Sequence, residues 1–140
     1  RFIPDAIVYH RRRTSLRSFF KQTFNWGVAR INLYKIDKSL LEPIHFLPSL
    51  GLLTVITFIV GSILFNPFFI YLMQFGFTLF LIQCTLGMVQ KKDLRVFGHL
   101  LVVIPTQISG YGFGFLVAFI RRVIFNSDMF TGFEKKYYSN

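Results

Sequence analysis

The sequence predicts an all-α membrane protein: one amphipathic helix at the membrane surface, two transmembrane helices, and a third apolar helix that is broken. Two observations support this fold class. The chain is 53% hydrophobic, and no Asp, Glu, Lys or Arg occurs in residues 43–90 or in residues 96–120. A bilayer core about 30 Å thick needs about 20 helical residues for each crossing. The first run therefore holds two crossings and a turn, and the second run holds at most one.

Charge and composition exclude an ordinary soluble basic domain. The 140 residues carry a net charge of +10 together with 19 phenylalanines, a combination that is foreign to soluble cationic proteins. The one cysteine, Cys84, excludes an intramolecular disulfide and a cysteine-based metal cluster. The chain starts with Arg1, and its first 45 residues hold nine basic residues and no apolar signal segment. We therefore expect no signal peptide and interpret the start as the middle of a longer polypeptide.

The first 45 residues predict a short strand or coil followed by a helix. Pro4 disfavours helix at the residue before it, and Thr14 or Ser15 is suited to cap a helix start. Apolar residues then recur at helical spacing, with cations and amides opposite them: Leu16, Phe19, Phe20, Phe24, Gly27, Ile31 and Tyr34 against Arg17, Lys21, Asn25, Asn32 and Lys35. This pattern predicts an interfacial helix and linker over residues 14–45. The alternative is a helix that packs its apolar face on a soluble domain.

The membrane region is predicted to cover residues 46–125. Its crossings span about residues 46–65 and 68–89, joined by a turn at Asn66-Pro67, and the third apolar segment spans about residues 97–120. Pro105 and glycines at positions 110, 112 and 114 weaken a helix, so we expect the third segment to be broken. That segment is re-entrant, interfacial or spanning. A polar tail follows over residues 126–140.

The distribution of basic residues predicts the topology. If the third segment re-enters or lies along the interface, all 16 Lys and Arg residues are cytoplasmic; if it crosses, 12 lie inside and 4 outside. The first distribution leaves no basic residue outside and agrees better with the positive-inside rule. We therefore favour two full crossings, with three as the alternative. The expected location is a bacterial inner membrane, with the basic segments cytoplasmic and membrane lipid as a partner.

Residues 7–33 carry the only pattern that points to an activity. In order, they contain His10, Arg12, Ser15, Phe20, Gln22, Trp26, Gly27 and Arg30. This segment resembles the end of the catalytic region in membrane-associated glycosyltransferase family 2 proteins, where a strand ending in His precedes basic residues, a Ser and an aromatic helix. The resemblance covers about 30 residues, and the hydrophobic remainder is similar only in character. It implies that residues 1–13 are the C-terminal end of a GT-A domain, an α/β domain that lies mostly upstream.

The resemblance implies metal-assisted transfer of a sugar from a nucleotide-sugar donor to a lipid-linked or glycan acceptor. His10 is at the position from which the family ligates the divalent cation or approaches the sugar diphosphate, and imidazole suits Mn²⁺ better than Mg²⁺. A His that only hydrogen-bonds backbone at a strand end is the alternative. The metal-binding Asp-x-Asp motif and the catalytic base are expected before Arg1, so no catalytic residue is assigned in this chain.

The resemblance also implies acceptor-side or substrate-binding roles for Gln22, Trp26, Arg30, Arg12 and Arg13. Gln22 and Trp26 have the spacing of the Gln-x-x-Arg-Trp motif of processive family members, in which the indole stacks on the acceptor sugar. Asn25 stands where that motif has Arg, which favours transfer of a single sugar. Trp26 serves equally well as an anchor at headgroup depth, and attraction to anionic lipid accounts for most of the arginines.

Two rival functions follow from the same residues. A non-enzymatic membrane module, such as a lipid-carrier flippase subunit or an assembly partner, agrees equally well with residues 43–140. Nucleic-acid binding by the basic residues 1–38 is disfavoured because apolar crossings adjoin them and the apolar face is one-sided, so no nucleic-acid partner is expected.

Overall fold

A computed structural model describes residues 15–133, and within this range it contains helices and no strand. The predicted strand or coil before residue 14 lies outside the described residues. The helices are α1 (Leu16–Ile36), α2 (Leu47–Leu64), α3 (Phe68–Lys91) and α4 (Leu94–Phe119), with short 3₁₀ turns at Lys38–Leu40 and Pro43–Phe46 and a π-helical turn at Ile120–Ile124. The all-α prediction is confirmed for this part of the chain.

Short polar side chains set the two ends of α1. The Ser15 hydroxyl accepts a hydrogen bond from the backbone N–H of Ser18 at 3.2 Å, which satisfies one of the free donors at the helix start. At the other end, the Asp37 carboxylate accepts hydrogen bonds from the hydroxyl and the backbone N–H of Ser39, at 2.7 and 2.9 Å. These two bonds start the first 3₁₀ turn and lower the pKa of Asp37 below its ordinary value.

Helices α2 and α3 form the predicted hairpin. The side-chain oxygen of Asn66 accepts a hydrogen bond from the N–H of Phe68 at 2.8 Å, and the N–H of Asn66 donates to the carbonyl of Gly61. Beside this turn the Phe69 ring packs directly on Gly61 and lies 6.0 Å from the Phe58 ring. The turn is therefore closed by hydrogen bonds to its own backbone and to the Asn66 side chain.

Three helices of the described chain are long and apolar enough to cross a membrane. They are Pro43–Leu64, Phe68–Lys91 and Leu94–Ile124, with the preceding and following turns included. Few of their side chains are buried inside the protein, so large apolar side chains cover the outside of the hairpin. An apolar surface of this extent needs a lipid or protein environment.

The third apolar helix is not broken, which corrects the prediction. Helix α4 continues through Pro105 without interruption. Proline removes one backbone donor, and nearby hydroxyls bind carbonyls of the same stretch: Thr106 donates to Val102 at 2.7 Å and Ser109 to Pro105 at 2.6 Å. The weak helix propensity of the three glycines is overridden because their bare backbones are packed against neighbouring helices.

Helices α1 and α4 approach closely enough for their backbones to touch. A Cβ atom at Gly27 would collide with the Tyr111 carbonyl, one at Gly110 with Thr23, and one at Gly114 with the Phe24 carbonyl. Small residues permit this kind of contact, which is common between membrane helices. The apolar core of the described chain lies in the same seam and consists of Val28, Ile31, Phe115 and Ala118.

The contacts along this seam show that α1 and α4 run side by side in the same direction. Thr23 touches Gly110, Phe24 touches Gly114, and beyond α4 the Lys35 ammonium donates to the Asn126 side chain at 2.8 Å. Positions therefore advance together on both helices. The direct contacts run from Phe20 to Ile31, so at a rise of about 1.5 Å per residue the shared length is about 17 Å, roughly half of α1.

Helix α4 lies across the open end of the hairpin. Leu100 packs on Gly87 of α3, while Gly112 packs on the Pro48 carbonyl of α2. Along the helices, Gly87 lies about 32 Å from the Asn66 turn and Pro48 lies about 27 Å from it. The two contacts therefore differ by only about 5 Å in their height on the hairpin. Between the same contacts α4 advances about 18 Å along its own axis. It is therefore strongly inclined to the hairpin, and α1 is inclined with it.

The segment after α4 turns back along α1. The Asn25 side-chain amide exchanges two hydrogen bonds with the backbone of Phe133, both 2.8 Å long, and the Asn32 amide donates to the Phe130 carbonyl at 2.8 Å. Two cations cover the aromatic rings: Lys21 lies 5.3 Å from the Phe133 ring centre, and Arg121 lies 4.6 Å from that of Phe130. This segment runs antiparallel to α1.

Candidate acceptor-binding face on helix α1

The structure places three of the six predicted site residues on one strip of α1. Gln22, Trp26 and Arg30 are four residues apart, so they follow one another along a single side of the helix. The other three, His10, Arg12 and Arg13, lie outside the described residues. We refer to Gln22, Trp26 and Arg30 as the α1 strip.

The strip lies next to the side of α1 that packs on α4, with Trp26 exposed and with Gln22 and Arg30 half-buried. The row of Thr23, Gly27 and Ile31 is buried against α4, while Asn25 and Asn32 bind the C-terminal segment. Both contacts hold α1 in place without covering the indole of Trp26, which is 48% exposed. A side chain on a firmly packed helix is a better-positioned binding group than one on a loop.

Trp26 has the exposure that either predicted role requires. Its indole makes no hydrogen bond or ring stacking with the residues that the structure describes, so the flat face and the N–H are both available. An indole of this kind stacks on the apolar face of a sugar ring or anchors a helix at headgroup depth. The position agrees with both roles.

Tyr111 joins the strip from α4. Its hydroxyl is buried without a hydrogen-bond partner among residues 15–133, although the Arg30 guanidinium is near enough to interact with it electrostatically. The Tyr111 ring stacks on Phe115 at 6.2 Å, which fixes its orientation. Sequence reasoning missed this residue because the glycines around it drew attention to helix breaking. Only the three-dimensional packing brings it to Arg30.

Asn25 has a structural role where the processive motif has Arg. Its amide oxygen accepts from the Phe133 N–H, and its amide nitrogen donates to the Phe133 carbonyl. Arginine has no acceptor atom and cannot replace this pair. Asn25 therefore serves the contact with the C-terminal segment, and an Arg at this position would lose the bond from the Phe133 N–H.

The described residues do not form a site for the divalent cation. Between residues 15 and 133, no three His, Cys, Asp or Glu side chains are grouped to hold a metal ion. His45 accepts a hydrogen bond from the Glu42 N–H at 3.0 Å, and His99 donates to the Arg95 carbonyl at 2.6 Å, so both act locally at helix ends. The assignment of Mn²⁺ or Mg²⁺ to His10 stays a prediction, and no catalytic step is derived through the metal.

Comparisons with protein families, curated proteins and solved structures find no match to this chain. The resemblance of residues 7–33 to glycosyltransferase family 2 therefore rests on those residues alone.

Proposed function

We propose that this chain is the membrane-anchoring and acceptor-side part of a family 2 glycosyltransferase. The enzyme transfers a sugar from a nucleotide-sugar to a lipid-linked or glycan acceptor. The observation that supports this most strongly is the α1 strip: it presents Gln22, an exposed Trp26 and Arg30 in a row on a helix that two neighbouring elements hold in place.

The geometry also supports a topology with two crossings. Helix α1 carries Arg17, Lys21, Arg30 and Lys35, and burying these charges in hydrocarbon costs about 2.5–3.5 kcal/mol each at the helix centre. It therefore lies at the interface. Because α4 packs backbone to backbone on the middle of α1 and is strongly inclined to the hairpin, it shares this level, and only α2 and α3 cross.

This arrangement places the cationic residues on one side of the membrane. The basic loop between α3 and α4 and the cationic face of α1 both lie at the open end of the hairpin. By the positive-inside rule this side is cytoplasmic, where nucleotide-sugars are available to a partner domain. The bacterial inner membrane remains the proposed location.

Each residue of the strip has a chemical role in this proposal. The Trp26 indole stacks on a sugar ring of the acceptor, and Gln22 exchanges hydrogen bonds with its hydroxyls. Arg30 pairs with a phosphate of the lipid diphosphate through its planar guanidinium. The catalytic base belongs to sequence upstream of Arg1.

The test compares two activities of the full-length protein. Replacing Trp26 with Ala removes the stacking surface, worth about 0.5–1.5 kcal/mol, so we expect sugar transfer to fall by up to about tenfold while hydrolysis of the nucleotide-sugar is unchanged. Ile36→Ala is the matched control because Ile36 is 81% exposed on the same helix and lies outside the strip.

Two results would contradict the proposal. An equal loss of transfer and hydrolysis in Trp26→Ala would show that the indole does not act on the acceptor. If the unaltered full-length protein transfers no sugar from any nucleotide-sugar, the non-enzymatic membrane module becomes the better interpretation. Purification of the chain as a dissolved monomer without detergent would exclude both membrane functions.

A further inference from the structure

An open groove separates the first turn of α1 from the first half of α4. It has a volume of about 780 Å³ and is lined by Ser15, Leu16, Phe19, Arg95, Gly98, His99, Val102 and Val103. Ligand sites commonly have volumes of about 300–1,000 Å³. The groove exists because the two helices touch only further along, and a Cβ atom at Gly98 would meet nothing within 4 Å.

The groove combines an apolar floor with a cationic end. Phe19, Val102 and Val103 form the apolar part, whereas Arg95 and His99 stand one helical turn apart at the start of α4. Among residues 15–133, no carboxylate lines the groove. The nearest one along the chain, Asp93, caps α4 by accepting a hydrogen bond from the Arg95 N–H at 2.9 Å.

We propose that this groove binds one anionic phospholipid of the bilayer. The lipid phosphate pairs with Arg95, and an acyl chain lies along Phe19 and Val102. Charge complementarity supports this occupant, because the lining contains the Arg95 cation and no acid among residues 15–133, while the surface is apolar enough for a hydrocarbon chain. The groove adjoins the basic loop at Lys91, which lies at the level of the headgroups in the proposed topology.

Charge also argues against a segment of this chain, or a second copy of it, as the occupant of the groove. The chain has 16 Lys and Arg residues against 6 Asp and Glu, so it offers Arg95 mostly like charge. A second copy of the chain, with a net charge of +10, meets the same repulsion. The proposal goes beyond sugar transfer and does not depend on it; it needs only that the chain is in a membrane.

A tryptophan in the groove reports which lipid lies there. In the variant Trp26→Phe with Phe19→Trp, the one indole lines the groove, and lipids with brominated chains quench it on contact. The vesicles contain phosphatidylcholine with a small fixed fraction of phosphatidylglycerol. In one set the phosphatidylglycerol is brominated, and in the other set an equal amount of the phosphatidylcholine is brominated. We expect brominated phosphatidylglycerol to quench more strongly, with about a fivefold binding preference that comes from the Arg95 charge.

Three controls separate a groove site from general attraction. A tryptophan at Phe75, which is 65% exposed on α3, should be quenched equally by both lipids. Arg95→Gln should reduce the preference at position 19 about fivefold, whereas Lys91→Gln, which removes a neighbouring charge outside the groove, should leave it unchanged. Inorganic phosphate, added at constant ionic strength, should not displace the lipid.

Several results would overturn the proposal. Equal quenching by the two lipids at position 19 shows no headgroup selection, and equal effects of Arg95→Gln and Lys91→Gln show surface attraction only. Absence of quenching by both lipids shows a groove covered by protein, and displacement by inorganic phosphate shows an anion site rather than a lipid site. Native mass spectrometry of the unaltered chain tests the proposal without substitutions. The protein should retain a phosphatidylglycerol adduct, and a protein that retains none contradicts the proposal.

Discussion

Substitution of Gly114 by Ala tests whether backbone contact holds α1 on α4. A Cβ atom at this position would lie 2.7 and 2.9 Å from the backbone C and Cα atoms of Phe24, which cannot rotate away as a side chain does. Overpacking of this kind costs about 1–3 kcal/mol, while Ala in a helix recovers about 0.5–1 kcal/mol relative to Gly. The rigid neighbour favours the upper part of the range. We therefore expect a net loss of about 1–2 kcal/mol in the free energy of unfolding.

Gly98→Ala is the matched control for this experiment. It makes the same chemical change in the same helix, but its added Cβ meets open space. We expect this variant to gain about 0.5–1 kcal/mol, so the two substitutions shift stability in opposite directions. Denaturant unfolding in detergent micelles, followed by the fluorescence of Trp26, measures both. Equal stabilities for the two variants would refute the close packing of α1 and α4 and the side-by-side arrangement that depends on it.

Three further predictions concern single contacts. Asn25→Arg breaks the amide pair with Phe133, so chymotrypsin should cleave after Phe133 several times faster, whereas Asn25→Asp keeps the acceptor and should have a smaller effect. Asp37 has a lowered pKa because the Ser39 hydroxyl and N–H bind its carboxylate; its stabilising effect is present above the ordinary pKa and is lost as the pH falls through the lowered value. In Ser39→Ala, an NMR titration should show the pKa of Asp37 moving back toward the ordinary value, and an unmoved titration would contradict the assignment. Lys92 ends α3 with a φ of 51°, so Lys92→Gly should raise the free energy of unfolding by up to about 1 kcal/mol, and a loss of stability would contradict this.

The hairpin could be predicted closely from the sequence. A run of 48 residues without charge and the Asn66-Pro67 signal are strong local patterns, and α2 and α3 begin and end within about two residues of the expected positions. The start of α1 at the Ser15 cap was predictable for the same reason, since one hydroxyl decides it locally.

The role of the α4 glycines could not be predicted. A glycine lowers helix propensity and permits close packing, and one sequence does not tell which effect dominates. In this protein close packing dominates, because Gly110 and Gly114 face α1 while Gly112 faces Pro48. Asn25 and Tyr111 were equally out of reach, because their partners Phe133 and Arg30 are distant in the chain. The positions of His10, Arg12 and Arg13 stay predictions.

The return of the C-terminal segment along α1 brings both ends of the described chain to one neighbourhood. Phe133 lies beneath Lys21, and Lys21 is six residues, or about 9 Å of helix, from Ser15. The chain therefore enters and leaves the described part of the structure at neighbouring points. An epitope or fluorescent label that must avoid both points is better inserted at the Asn66 turn, about 30 Å away across the hairpin.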